Sequence, residues 1–161
     1  MVRTAGPTML VLSRQNLPIL DRTRLAGPEG VLKGAYVLAK ESGTAPDIVL
    51  IASGSEVPLI LEARQRLAAE DIDARVVSMP SWELFREQPR KYREAVLPPD
   101  VTARLAVEAG TTLGWCEWVG HSGGVIGLDR FGASAPYKEN FKRYGFTVEH
   151  VVGRAKSLLS R

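Results

Sequence analysis

The sequence predicts an α/β fold, a doubly wound and mostly parallel (mixed) sheet with helices on both faces. Three features carry that expectation. Short apolar runs alternate with amphipathic runs from about residue 35 onward, and Gly or Pro bounds the runs. The connections are short, which implies right-handed parallel strand–helix–strand crossovers.

Taken in order, Thr8-Met9-Leu10-Val11-Leu12-Ser13 reads first as a buried strand. Pro18, Gly27, Pro28 and Gly30, with the charges Asp21, Arg22 and Arg24 among them, then suggest a linker. A lone strand followed by a linker belongs with a preceding domain, so residues 1–32 are read as its end and residues 33–161 as the α/β domain proper. Tyr36-Val37-Leu38-Ala39, flanked by Lys33 and Lys40, is an edge-strand candidate. Asp47-Ile48-Val49-Leu50-Ile51-Ala52, Ala74-Arg75-Val76-Val77-Ser78-Met79 and Ala103-Arg104-Leu105-Ala106-Val107-Glu108 fit strands covered on both faces. After the first of these, Ser55 is placed to cap a helix that tolerates Pro58 in its first turn and puts Val57, Ile60, Leu61, Leu67 and Ala68 on one face. Further helices are expected over residues 89–96, stopped by Pro98-Pro99, and over 136–143 and 148–159.

A chain of 161 residues with 45% hydrophobic content fits one core. A single cysteine, Cys116, excludes an internal disulfide and suits a reducing compartment. No apolar run approaches the ~18 to 20 residues of a membrane span, and the first seven residues lack the apolar centre of a secretory leader. A cytoplasmic location is expected, with no membrane partner. The net charge of +3 is dispersed, as in Arg64 and Arg66 or Arg90, Lys91 and Arg93. Nucleic acid would want a basic stripe with interleaved aromatics, so no such partner is expected.

Candidate chemistry is sparse. Ser53-Gly54-Ser55-Glu56 sits where a strand turns into a helix, a place where backbone N–H groups can hold phosphate. One glycine does not make a dinucleotide fingerprint, and a tight turn with a capping serine accounts for the pattern. Gly120-His121-Ser122-Gly123-Gly124-Val125-Ile126-Gly127 matches no P-loop and reads as a close-packed turn or a domain contact. His121 and His150 lack partners at metal-ligand spacing and read as surface or contact residues. Cys116, between Trp115 and Glu117, reads as a buried small hydrophobe. Glu108 ends a buried strand, where acid–base work and a hydrogen-bonded carboxylate are both possible. Arg14, in Ser13-Arg14-Gln15-Asn16 at the carboxyl end of an apolar strand, suits an oxyanion, because its planar fork gives two parallel charge-assisted bonds. Spacing alone leaves phosphate binding and a solvent-exposed loop equally open for it.

The run from Gly6-Pro7-Thr8 to Leu12-Ser13-Arg14-Gln15-Asn16 resembles the end of the pyrimidine-binding domain of transketolases. Ile51-Ala52-Ser53-Gly54-Ser55-Glu56-Val57, Arg75-Val76-Val77-Ser78-Met79-Pro80-Ser81, Val107-Glu108-Ala109-Gly110 and Phe131-Gly132-Ala133-Ser134-Ala135-Pro136 are similar to the carboxy-terminal domain of that family, in order and spacing. The resemblance covers essentially the whole chain. It implies an enzyme that moves a two-carbon ketol unit from a ketose phosphate to an aldose phosphate, using thiamine diphosphate and a divalent metal such as Mg. One site residue carries over, Arg14, which the resemblance assigns to the sugar's terminal phosphate. The Gly-Asp-Gly motif for diphosphate and metal, the activating glutamate and the catalytic histidines are absent from this sequence. The resemblance therefore implies no catalytic residue, bound cofactor or metal in this segment, with the remaining transketolase domains and a second copy, as a homodimer, for partners. Two alternatives stay open: a free-standing module that docks on thiamine-enzyme domains, and a nucleotide-binding domain using residues 53–57.

Overall fold

The structure, a computed structural model, describes residues 6–160; residues 1–5, read above for a leader and as the start of the 1–32 segment, lie outside it. In chain order the strands are β1 (Tyr36–Ala39), β2 (Ile48–Ala52), β3 (Ala74–Ser78), β4 (Arg104–Val107) and β5 (Gly124–Ile126). They form one sheet in the order β1-β3-β2-β4-β5. β2 pairs in parallel with β3 and with β4, and β4 with β5, while β1 lies antiparallel to β3 at the edge. The mixed, mostly parallel sheet and the edge position of β1 agree with the sequence expectation.

Two helical layers cover the sheet. On one face Ile48, Leu50, Ala52, Val76, Leu105 and Val107 meet α1 (Glu56–Ala68) and α6 (Val148–Leu159), which contribute Ile60, Ala63, Leu67, Val151, Ala155 and Leu158. On the other, Val49, Ile51, Val77 and Ala106 meet α2 (Trp82–Arg86), α3 (Arg90–Val96) and α4 (Cys116–Val119), which bring Phe85, Val96, Trp118 and Val119. Alternate residues of each strand thus enter different cores, as a period of two requires. Helix α5 (Tyr137–Tyr144) packs Phe141 beside the first core and ends at Gly145, whose φ of 83° is the left-handed cap conformation that glycine adopts without a Cβ clash.

Several local expectations are corrected. Residues 8–13 form no strand: Met9, Leu10, Val11 and Leu12 are 87%, 70%, 82% and 76% exposed, because no sheet edge lies beside them to accept their backbone. The linker is more ordered than its composition suggests. Leu20 and Leu25 pack on the first core, the Ala26 amide donates to the Leu38 carbonyl at 3.0 Å, and Pro28–Lys33 forms a 3-10 helix. Ser55 does not cap α1, since it is itself in helical conformation and its hydroxyl donates to Glu56 Oε1 at 3.0 Å. Ala68 is exposed and Ala63 takes the buried position instead. Cys116 is exposed, because α4 turns Trp115, Trp118 and Val119 inward. β5 is a strand that the glycine stretch concealed. A Cβ on Gly123 would lie 2.3 Å from the Val119 carbonyl and 2.8 Å from that of Arg104, so glycine is what lets the chain close onto β4.

One buried ion pair clamps the edge of the sheet. Arg75 on β3 donates from Nε to Glu41 Oε2 at 2.8 Å and from Nη2 to Oε1 at 2.5 Å, while Nη1 reaches the Ala95 and Val96 carbonyls at the end of α3. The two side chains are 8% and 2% exposed. The bonds from Arg75 hold the Glu41 carboxyl below its ordinary range. Glu41→Ala leaves a buried guanidinium without its counter-charge, and it should destabilise the chain by about 3–5 kcal/mol in urea unfolding. Glu70→Ala, which removes the exposed partner of Lys156, should change stability by less than about 1 kcal/mol.

Candidate functional site

In an open α/β sheet, ligands bind beyond the carboxyl ends of strands whose connections leave in opposite directions. Here β2 departs through α1 toward β3, and β4 departs through α4 toward β5. The crevice between the ends of β2 and β4 is therefore the switch point. A cavity of about 430 Å³ opens there, lined among others by Ser53, Ser81, Trp82, Glu108, Thr111 and Trp115.

The polar centre of this crevice joins two sequence candidates. The Ser53 hydroxyl donates to Glu108 Oε2 at 2.8 Å, bridging the ends of β2 and β4. Glu56, at the start of α1 and 2% exposed, lies behind them. Burial, then the charge of Glu108, pushes the Glu56 carboxyl up to about 7, with hydrogen bonds from Ser55 and the Ala109 amide opposing the shift. Burial also raises Glu108, against the hydrogen bonds from Ser53. The rim is held by Asp129, which accepts from the Thr112 amide at 2.8 Å, its hydroxyl at 2.7 Å and the Thr111 hydroxyl at 3.1 Å. Chemically the crevice stores a proton near neutral pH and accepts hydrogen bonds. It offers no activated nucleophile, and among the described residues no three His, Cys, Asp or Glu side chains converge as metal ligands.

Ser53 and Glu108 are brought together, and at the turn between them and α1 a Cβ on Gly54 would meet nothing within 4 Å. Glu56 was legible only as part of that turn; the signal for it was a carboxylate four residues after an apolar strand, next to Val57 and one helical turn before Ile60. His121 and His150 are exposed, as read from sequence, and His150 Nδ1 bonds the Gly145 carbonyl at 2.8 Å. The glycine stretch is close-packed around Gly123, in line with one of its two readings. Arg14 lies in an exposed bend, apart from the crevice lining. Phe131 and Leu113, on the loops after β5 and β4, are 96% and 80% exposed.

Strand order, two helical layers and a crevice at the switch point define a doubly wound α/β domain. The family model described as the transketolase-like TK C-terminal domain matches residues 34–147. A transketolase of Halalkalibacterium halodurans is 57% identical over 95% of this chain and 23% of its own length, and one of Geobacillus stearothermophilus is 51% identical over 98% and 24%. Among solved structures, transketolase from Leishmania mexicana superposes with a TM-score of 0.75 at 42% identity, over 83% of this chain and 19% of that one. A Pichia stipitis transketolase gives 0.80 at 38%, over 91% and 20%. The chain belongs to the transketolase family and corresponds to its C-terminal region. It spans about a quarter of the length of the bacterial transketolases it matches. Among the described residues no helix is long and apolar enough to cross a membrane.

The raised carboxyls make stability depend on pH. Glu56 holds its proton in the native state between its ordinary value of 4.5 and about 7, where the unfolded chain has lost it. The native state binds more protons in that window, so stability is full below about 4.5 and falls as pH rises to about 7. The interval between 4.5 and about 7 corresponds to about 3 kcal/mol. Glu56→Gln, which keeps the shape and cannot ionise, should flatten that fall by a comparable amount and be more stable than the parent at pH 8. Urea midpoints at a series of pH values compare the two, and superimposable profiles would disprove the assignment.

Proposed function

We propose that the chain is the C-terminal portion of a transketolase that transfers a two-carbon ketol unit between sugar phosphates, and that within it this segment supplies contacts rather than catalysis. The observation that carries this is the exposed apolar run at residues 9–12, continuous with a match that extends through the folded domain. Four consecutive apolar side chains in water call for a covering surface. Residues 1–32 serve as the closing strand of a preceding domain's sheet and the linker from it, and residues 33–161 as the domain that braces it. Phe131 and Leu113 extend the contact surface toward the other domains or the second copy of a cytoplasmic homodimer.

Thiamine diphosphate with a divalent metal supplies the ketol-transfer chemistry in such an enzyme. The described residues do not fit that group. No metal-ligand set converges, and Glu83 and Glu108 give the crevice the wrong charge for a diphosphate. The cofactor belongs to the domains that complete the enzyme. Arg14 takes the terminal phosphate of the sugar, far from the reacting carbon, where its binding energy orients the substrate. A sugar-phosphate partner is in keeping with a related Pichia stipitis transketolase that was solved with sedoheptulose 7-phosphate.

A chimera tests both parts: this chain replaces the matching quarter of the Halalkalibacterium halodurans enzyme. It should retain ketol transfer; an inactive, correctly folded chimera would overturn the assignment. Charge-assisted bonds contribute roughly 1.5–3 kcal/mol each, so Arg14→Ala in the chimera should lower kcat/KM about tenfold to a few hundredfold for phosphorylated acceptors. Non-phosphorylated acceptors should lose little. An equal loss on both would make Arg14 structural.

A further inference from the structure

A cavity of about 260 Å³ lies where the linker crosses the domain, between the turn at residues 21–25, the carboxyl end of β1 and α1. Three cations line it: Arg24 from the linker, Lys40 directly after β1, and Arg64 from α1. None of the three forms an ion pair among the described residues. The lining holds one carboxylate, Asp21. Its Oδ1 accepts from the Thr23 amide at 2.9 Å and the Thr23 hydroxyl at 2.7 Å, and Arg24 acts on it only through its field. Three positive charges against one negative leave the cavity with a positive surplus.

Arg64 is the fixed member of the three. It is half-buried, and its Nε and Nη2 donate to the Ala74 and Lys40 carbonyls at 2.9 and 2.8 Å. Neutral carbonyls orient the guanidinium and leave its charge uncompensated, and its Nη1 donates to no group among the described residues. Arg24 and Lys40 are exposed, and their side chains make no hydrogen bond among those residues, so their donors are open to a ligand from solvent. Leu25, Ala39 and Leu61 complete the lining with an apolar wall beside the cations.

We propose that this cavity binds a phosphate dianion, free or as a small phosphate monoester, held by Arg64 Nη1 and the charged ends of Arg24 and Lys40. A chloride or a carboxylate would answer only part of the surplus charge. A phosphate, with about −1.5 to −2 charges near pH 7, answers it and offers several acceptor oxygens to donors on three different elements. The volume exceeds that of a bare anion, and the apolar wall suits the carbons of an ester. Such a ligand bridges the linker, β1 and α1. The site shares no residue with Arg14 or the crevice, and it stands independently of ketol transfer.

The test uses the 161-residue chain, labelled with 15N, and follows the backbone amides of Leu25, Lys40 and Gln65, one on each side of the cavity. Sodium phosphate, glycerol 3-phosphate and sodium chloride are titrated at matched ionic strength. The three signals should move to saturation with a common midpoint in phosphate or its ester and stay fixed in chloride. Arg24→Met and Lys40→Met remove exposed side chains without hydrogen-bond partners among the described residues, so the fold is kept. Each should raise the midpoint about tenfold, the loss of a charge-assisted bond. Arg66→Met removes the same charge from an exposed position of α1 outside the cavity, and should titrate like the parent. Tighter binding of glycerol 3-phosphate would identify a monoester as the ligand, and equal binding would identify free phosphate. The proposal falls if neither anion gives a saturable shift, or if Arg24→Met and Lys40→Met both titrate like the parent. It falls equally if Arg66→Met weakens binding as much as they do, which is what a general attraction of anions to a basic surface would produce.

Discussion

Ile48, Val49, Leu50, Ile51 and Ala52 have no exposed surface. A strand with no wet face exists only between two covering layers, and each layer must come from helices, because β3 and β4 already take its edges. Most of the architecture follows from that constraint. The connection after β2 lays α1 on one face. The connection after β3 passes over the other face, through α2 and α3, to bring β4 to the free side of β2. The connection after β4 leaves through α4 on the face opposite α1, so the neighbouring strands β2 and β4 part in opposite senses and a crevice opens at their carboxyl ends.

How much of this is legible in sequence depends on how many residues share a signal. β2, β3, α1 and α6 each carry a run of consistent periodicity, and their composition alone locates them. β5 has three residues, one of them glycine, and forms because Gly123 admits the close approach to β4, which is a tertiary fact. α2 and α4, of five and four residues, are shorter than a period can establish; burial of Phe85, Trp115 and Trp118 stabilises them. Residues 8–13 show the reverse case. Their pattern is that of a strand, but strand formation needs a neighbour, and the pattern does not reveal whether one is present.

The site was half legible for a related reason. Ser53 and Glu108 stand out at strand ends, 55 positions apart in the chain, and only the parallel register that sets Ala52 beside Val107 makes them neighbours. Glu56 belonged to a recognisable turn, yet its proton affinity depends on burial and on the charge of Glu108, neither of which is local.

Where the arginines went explains why the crevice acids are unusual. Arg75 is committed to Glu41 and the end of α3, Arg64 to the Ala74 and Lys40 carbonyls, and Arg104 to the carbonyls near α3 and α4. Each ties irregular backbone at the rim of the sheet, where carbonyls would otherwise lack donors. None reaches the carboxyl ends of β2 and β4. Glu56 and Glu108 therefore face burial and each other without a counter-charge, and their proton affinity rises. Among the described residues the same allocation leaves Arg93 and Arg104, beside α3 and α4, without an ion-pair carboxylate.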